Sequence, residues 1–177
     1  MVEKGDGDGR SHPAWAFAAA LTVTLALPAA AQTTGDIGLG KRVYQAKAEC
    51  GHCHGWSGDG AGDPLSPGKA ANLRETKLDH DQLVEVIRCG VPGGTAMPHF
   101  DRFAWTGEKC FGMTAADVGD KKPTGPTAEL SKREIEAIVA YLEAKVIGKG
   151  PPTVADCEEF FGAGSPLCKQ MAGGRRQ

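Results

Sequence analysis

Apolar side chains recur with the period of an α-helix in three stretches of this sequence. The clearest stretch is 131–147, where five aliphatic residues fall on one helix face: Ile135, Ile138, Val139, Leu142 and Val146. Ser131 and Glu134 have the spacing of a capping box at its start, and Gly148 stops it. The pattern predicts an amphipathic helix that buries one face.

Two weaker helices are predicted earlier in the chain. Residues 79–89 have Asp79 or Asp81 as N-cap, and their buried side consists of Leu83, Val84, Val86 and Ile87. Residues 36–49 have a looser apolar face, formed by Ile37, Val43, Tyr44 and Ala48. Both stretches are long enough for about three helical turns.

The segments between these helices predict loops. Residues 55–77 and 90–128 have no clear period and are dense in glycine and proline, which occur 25 and 11 times in the 177 residues. Neither a strand pattern nor an internal repeat is present. The expected fold is therefore a single all-α domain with three main helices and long loops. The formal net charge of −2 gives no indication of nucleic-acid binding.

The N-terminal segment has the features of an export signal. Residues 14–27 form an apolar run that is short for a membrane span, and Ala29 and Ala31 follow with the spacing of a cleavage site. We expect residues 1–31 to be removed, which leaves a periplasmic protein that begins at Gln32 and has no membrane anchor. Acidic residues near the N-terminus depart from the usual signal, so retention of the segment as an anchor stays open.

The segment "CGHCHG" at residues 50–55 places two cysteines and two histidines in six positions. C-x-x-C-H is the pattern of covalent haem attachment, in which Cys50 and Cys53 form thioethers and His54 ligates the iron. Half of a zinc site is a second interpretation, but no second short Cys or His pair completes it. A thioredoxin-like redox pair is a third, and it needs an α/β context that the pattern does not supply. The motif favours haem.

Four further cysteines remain, and in an oxidising compartment they should pair. The pairing with the smallest loops is Cys89–Cys110 and Cys157–Cys168. The second pair bounds a tail that follows the last predicted helix. We therefore expect a main domain over 32–150 and a C-terminal extension over 151–177, with a disulfide clip and a mobile end.

Three features together resemble the class I c-type cytochromes: the C-G-H-C-H motif, the segment "GTAMPHF" at 94–100 and the final amphipathic helix. The resemblance covers residues 36–147 and implies a small all-α fold around one covalently bound haem c. It implies that the first and last helices cross near the haem, with these candidates at the crossing: Gly38, Gly40, Tyr44, Tyr141 and Leu142. It also implies that a carbonyl of Pro64 or Pro67 accepts the N–H of His54.

The second axial ligand of the iron is expected to be Met97. The glycines before it allow an unusual backbone path, Pro98 stiffens the chain after it, and a thioether favours Fe(II). The resemblance also points to a methionine in such a loop. Three rivals stay open: His99, Met113 and His80. Met97 as a simple core residue is the structural alternative, because methionine fills irregular gaps well.

These residues predict a single-haem electron carrier and not an enzyme, since an iron closed by His54 and Met97 has no open position. The resemblance implies redox protein partners: a donor dehydrogenase, for example a quinoprotein alcohol dehydrogenase, and an acceptor cytochrome or oxidase. A peroxidase or gas-binding haem protein with an open iron site is one alternative. A fixed electron-entry subunit of a larger redox complex is another.

Overall fold

The computed structural model describes residues 33–66, 70–93, 97–126 and 128–174. These ranges contain seven α-helices and no strand, which confirms the predicted all-α class. The helices are α1 (Thr33–Arg42), α2 (Cys50–His54), α3 (His80–Cys89), α4 (Ala115–Val118), α5 (Lys132–Lys145), α6 (Val154–Phe161) and α7 (Pro166–Gly174). The predicted export signal, residues 1–31, lies outside the described residues.

The two best-predicted helices begin at the expected caps. In α5 the Ser131 side chain accepts from the Glu134 N–H while the Glu134 carboxylate accepts from the Ser131 N–H, so both orphan donors are satisfied. In α3 the cap is Asp79 and not Asp81, and Gln82 completes the same reciprocal box. These boxes fix where each helix starts, and therefore which face of the helix turns inward.

Helices α1 and α5 cross at Gly40, as the resemblance implied. A Cβ placed on Gly40 would lie 1.9 Å from the Ala137 carbonyl oxygen, so only glycine permits this approach. Just beyond the crossing, the rings of Tyr44 and Tyr141 lie 5.6 Å apart. Gly38 has no such close neighbour from α5 and does not set the crossing.

The first predicted helix does not continue to residue 49. After α1 the chain forms a π-helical turn over Val43–Lys47, and Glu49 then adopts a left-handed conformation with φ 50°. The wider turn brings Val43 and Tyr44 into the core next to α5, where both are buried. The break at Glu49 lets α2 start in a new direction, so the C-x-x-C-H segment is a separate short helix.

The main core forms between α1, α3 and α5. Its buried apolar residues include Leu83 and Ile87 from α3, and Ile138 and Leu142 from α5. Each such side chain contributes about 1.5–3 kcal/mol when fully buried. The core therefore depends on the same residues that gave the sequence its helical period.

The long segment 90–128 forms a small second core. Ala104 and Trp105 pack with the Cys89–Cys110 disulfide, and this pairing agrees with the prediction from loop length. The indole N–H of Trp105 donates to the Cys89 carbonyl at 2.9 Å. The segment also contains α4 and a 3₁₀ turn over Gly119–Lys121, which the sequence pattern did not reveal.

The C-terminal extension contains two helices, which the sequence pattern did not reveal. Helices α6 and α7 are joined by the predicted Cys157–Cys168 bond, and a Thr153–Asp156 capping box starts α6. Helix α7 continues to Gly174, so residues 172–174 of the predicted mobile end are helical, and 175–177 lie outside the described ranges. None of the helices that the structure describes has the length and apolar character needed to cross a membrane.

Candidate haem site

The C-x-x-C-H motif is displayed on one turn of helix. Cys50 and Cys53 are three residues apart within α2, a spacing that places both side chains on the same helix face. Both thiols are free, whereas the other four cysteines are paired. Two adjacent thiols without a disulfide are available for bonds to another molecule.

The half-buried thiol of Cys50 stays protonated at neutral pH. The pKa of Cys50 is raised to about 12, chiefly by desolvation and further by the neighbouring Cys53. A redox-active C-x-x-C pair requires the opposite, a thiol whose pKa is lowered toward neutral pH. The environment of Cys50 therefore argues against the thioredoxin-like interpretation.

The imidazole of His54 is oriented by a backbone carbonyl. Its Nδ1 lies 2.9 Å from the Ala71 oxygen, and because a carbonyl can only accept, Nδ1 carries the proton. The lone pair is then left on Nε2, the atom that is free to bind a metal. Burial lowers the pKa of His54, with the Ala71 bond opposing, so the neutral ring prevails at pH 7.

This carbonyl differs from the one that the resemblance implied. The acceptor is Ala71, not Pro64, and Pro67 lies outside the described residues. The loop between the motif and Ala71 is built on glycines with positive φ, such as Gly60, where a Cβ would lie 2.6 Å from the Ala70 oxygen. The exact return path of this loop decides which carbonyl faces His54, and composition alone does not specify it.

Two neighbours hold the backbone around the motif. The Tyr44 hydroxyl donates to the Gly55 carbonyl at 2.7 Å in a buried position. His52, the other histidine of the motif, has its Nδ1 2.7 Å from the Asp63 carboxylate and is tied to the loop. This contact agrees with the interpretation that His54, not His52, is the ligand.

The two methionine candidates pack in different places. Met97 packs against the main core, which Cys50 also contacts, and its carbonyl accepts from the Val91 N–H. Met113 packs against the second core beside the Cys89–Cys110 disulfide. Of the two thioethers, only that of Met97 shares a core with the haem motif.

The two histidine rivals differ in their contacts, because a carbonyl meets one ring nitrogen of His99 whereas carboxylates meet both ring nitrogens of His80. His99 Nδ1 lies 3.1 Å from the Asp101 carbonyl oxygen. His80 is the first residue of α3 and contacts two carboxylates on α5, Glu136 at 3.0 Å and Glu143 at 3.2 Å. His80 therefore links two helices at the surface.

The donor set fits a c-type haem better than a zinc ion. Two free thiols share a helix face, His54 presents a neutral Nε2, and Met97 lies on the core that Cys50 contacts. Within the described ranges, no cluster of three or more His, Cys, Asp or Glu side chains has the arrangement of a metal-ion site. Structural zinc needs four such ligands.

Comparison with protein-family models supports the haem interpretation. The model described as "Cytochrome C oxidase, cbb3-type, subunit III" matches residues 35–115, which contain both the C-x-x-C-H motif and Met97. This match supports the class I c-type cytochrome domain expected from the sequence. Comparisons with the curated proteins and with the solved structures gave no significant match.

A c-type cytochrome domain implies haem c and a role in haem-based electron transfer. The matched residues end within α4, so α5 and the C-terminal extension lie beyond the match. Sequence reasoning missed Ala71 and the bond from Tyr44 to Gly55. The sequence pattern placed Tyr44 on the apolar face of the first helix, but it did not indicate that the Tyr44 hydroxyl bonds to Gly55, in the loop that follows the C-x-x-C-H motif.

Proposed function

We propose that this cytochrome is a periplasmic electron carrier with a single, covalently bound haem c. Cys50 and Cys53 would form the thioethers, and His54 and Met97 would be the axial ligands. The observation that carries this proposal is the bond from His54 Nδ1 to Ala71, which leaves Nε2 free beside two unpaired thiols. When bound, the haem supplies reversible one-electron transfer at its iron.

The protein's part in this function is to hold the ligands still. The Ala71 carbonyl fixes the tautomer and the ring plane of His54. The imidazole therefore needs little movement when the charge of the iron changes. The Met97 carbonyl accepts a hydrogen bond from the Val91 N–H, and the Cys89–Cys110 disulfide closes the loop that contains Met97. A soft thioether held in this way favours the reduced iron and raises the potential.

An electron carrier is favoured over a peroxidase or gas-binding protein. Those activities need an open iron position and a distal base. Met97 would fill that position, and both ring nitrogens of His80, one histidine candidate for a base, contact carboxylates of α5. We therefore propose that the chain is not an enzyme.

The proposal includes the location of the protein and the class of its redox partners. The apolar segment 14–27 and the small residues at 29 and 31 support cleavage and release to the periplasm. Two buried disulfides support an oxidising compartment. The partners would be a donor dehydrogenase, for example a quinoprotein alcohol dehydrogenase, and an acceptor cytochrome or oxidase.

A second candidate is a fixed electron-entry subunit of a larger redox complex. The description of the matched family, a subunit of an oxidase, favours it. Size-exclusion chromatography of a native extract separates the two. A haem peak at the mass of one mature chain, which is below the 18.5 kDa of all 177 residues, supports the free carrier, and a peak only in a large assembly supports the subunit.

The covalent haem is tested by expression with a haem-attachment system and haem staining of a denaturing gel. Wild type should stain at the mass of the chain, and the Cys50→Ala, Cys53→Ala double variant should not. The Cys157→Ser, Cys168→Ser double variant is the matched control, because it also removes two cysteines but should keep the stain. Staining of the first double variant at the wild-type level would overturn the assignment.

A further inference from the structure

Helix α6 of the C-terminal extension packs on the residues that follow His54. The rings of Phe160 and Phe161 lie 5.8 and 5.6 Å from the ring of Trp56, which is the second residue after His54. The two phenylalanines are themselves packed edge to face at 4.8 Å. A segment outside the family match therefore covers the start of the loop that follows the haem motif at Gly55 and Trp56, which we call the motif loop.

Phe160 also reaches the other side of this loop. Its ring meets that of Tyr44 edge-on at 6.3 Å, and Tyr44 holds the Gly55 carbonyl through its hydroxyl. The Phe160 carbonyl accepts from the Gln45 side chain at 2.8 Å, which fixes the end of α6 against the π-turn. Phe160 thus contacts Trp56 and also Tyr44, whose hydroxyl holds the Gly55 carbonyl immediately after His54.

Polar contacts hold the extension in place on the domain. The Lys145 ammonium lies 2.6 Å from the Glu159 carboxylate, and the buried Arg74 guanidinium lies 3.4 Å from Asp156. Arg74 also donates to the Ser57 carbonyl at 3.0 Å, so one side chain ties α6 to the motif loop.

Within the extension, the Cys157–Cys168 disulfide fixes α6 against α7, and both cysteines are buried. The contacts of α6 are therefore made by a helix pair that a disulfide holds together.

We propose that Phe160 is a positioning residue for His54, and that the C-terminal extension is a cover over the His54 side of the haem. The proposal rests on the function proposed above. Phe160 acts through Tyr44 and Trp56: it keeps the Gly55–Trp56 backbone in place and excludes water from it. A drier, more rigid ligand environment disfavours the more highly charged oxidised iron and raises the reduction potential.

A role in stability alone would have a different signature. If the extension only added buried area, loss of Phe160 would lower the unfolding free energy and leave the folded haem centre unchanged. If Phe160 positions His54, the fully folded variant should have an altered potential and a loosened backbone at the motif. The Gly55 N–H, which donates to the Gly51 carbonyl at 2.9 Å, reports on that backbone.

The experiment compares the haem-loaded full chain with three variants. Phe160→Ala removes the ring, Phe160→Tyr keeps it, and Leu167→Ala removes an apolar side chain of α7 that is 54% exposed. The measurements are the midpoint potential by spectroelectrochemistry and hydrogen exchange at the Gly55 amide. Phe160→Ala should lower the potential and speed Gly55 exchange at least tenfold, while Phe160→Tyr and Leu167→Ala should match wild type.

Phe160→Leu is the second variant if Phe160→Ala does not fold, because it retains apolar volume without the aromatic edge contacts. It should shift the potential in the same direction. A folded, haem-loaded Phe160→Ala or Phe160→Leu with wild-type potential and Gly55 exchange would overturn the inference and leave the proposed function standing. An equal shift in Leu167→Ala would also overturn it. A wild-type protein without covalent haem would overturn both.

Discussion

The Nδ1 atom of His54 and the carbonyl oxygen of Ala71, seventeen residues apart in the chain, lie 2.9 Å from each other. This bond joins the end of α2 to the far end of the glycine-rich loop, and it determines which nitrogen of the imidazole can bind iron. The loop is therefore part of the site, although it supplies none of the proposed iron ligands. Its glycines permit the path that brings Ala71 back to the histidine.

The choice between the two methionine candidates can be tested directly. Met97→Ala should leave the haem attached but open the sixth position, because the thioether is lost while both cysteines remain. The near-infrared charge-transfer band of Met-ligated Fe(III) should disappear, the potential should fall, and imidazole should bind faster.

Met113→Ala is the matched control for this experiment, since Met113 packs against the second core and not beside Cys50. It should retain the near-infrared band and the wild-type potential. If Met97→Ala kept the band and Met113→Ala lost it, Met113 and not Met97 would be the iron ligand.

The crossing of α1 and α5 offers a second prediction with a control in the same helix. Gly40→Ala would place a methyl group 1.9 Å from the Ala137 carbonyl oxygen, so the helices must separate. Overpacking of this kind costs about 1–3 kcal/mol. Gly38→Ala meets only the tip of Arg42, at 3.6 Å, and should stabilise the helix by about 0.5–1 kcal/mol. Urea unfolding of the two variants should move the midpoint in opposite directions.

The sequence predicted the parts of the fold that depend on local chemistry. The capping box at Ser131, the choice of Asp79 as one of two possible caps of α3, and the apolar face of α5 follow from residues a few positions apart. The disulfide pairing followed from loop lengths. The tight approach at Gly40 needed the resemblance, because a glycine inside a helix does not by itself indicate what it meets.

The contacts that the sequence did not predict join distant segments. Nothing in the sequence distinguishes Ala71, because its role depends on the loop returning to His54. Phe160 is one of two aromatic residues in a C-terminal segment that has no evident hydrophobic period. Its packing on Trp56 and Tyr44 brings together residues more than a hundred positions apart. The helices of the extension are short, and the disulfide and the aromatic contacts stabilise them more than their intrinsic propensity does.

The Cys89–Cys110 disulfide should stabilise both the domain and the position of Met97. It joins two cysteines 21 positions apart and closes a loop that includes Met97, for which the chain-entropy estimate is about 3 kcal/mol. Replacement of both cysteines by serine should therefore lower the unfolding free energy by about that amount. It should also lower the pH of the alkaline transition, in which Met97 leaves Fe(III), because a weak thioether bond depends on an ordered loop. An alkaline transition identical to that of wild type would contradict this second effect.

The link from His80 to Glu136 and Glu143 should make stability depend on pH near neutrality. A hydrogen bond from His80 to the Glu136 carboxylate is the largest of the effects that raise the histidine pKa, and Glu143 adds to it. Because the folded-state pKa lies above the unfolded value, the contribution is fully present below about pH 6.5 and is lost as pH rises through the higher folded value.

The His80 side chain is 47% exposed, so solvent screening limits this contribution to under about 1 kcal/mol. The test is the difference in urea midpoint between wild type and His80→Gln at pH 5.5 and at pH 8. Glutamine keeps a polar, hydrogen-bonding side chain of similar reach but cannot become positively charged. Wild type should be the more stable protein at pH 5.5, and the gap should narrow at pH 8. Because other titrating groups are common to both proteins, a gap that is equal at the two pH values would show that His80 is not charged in this contact.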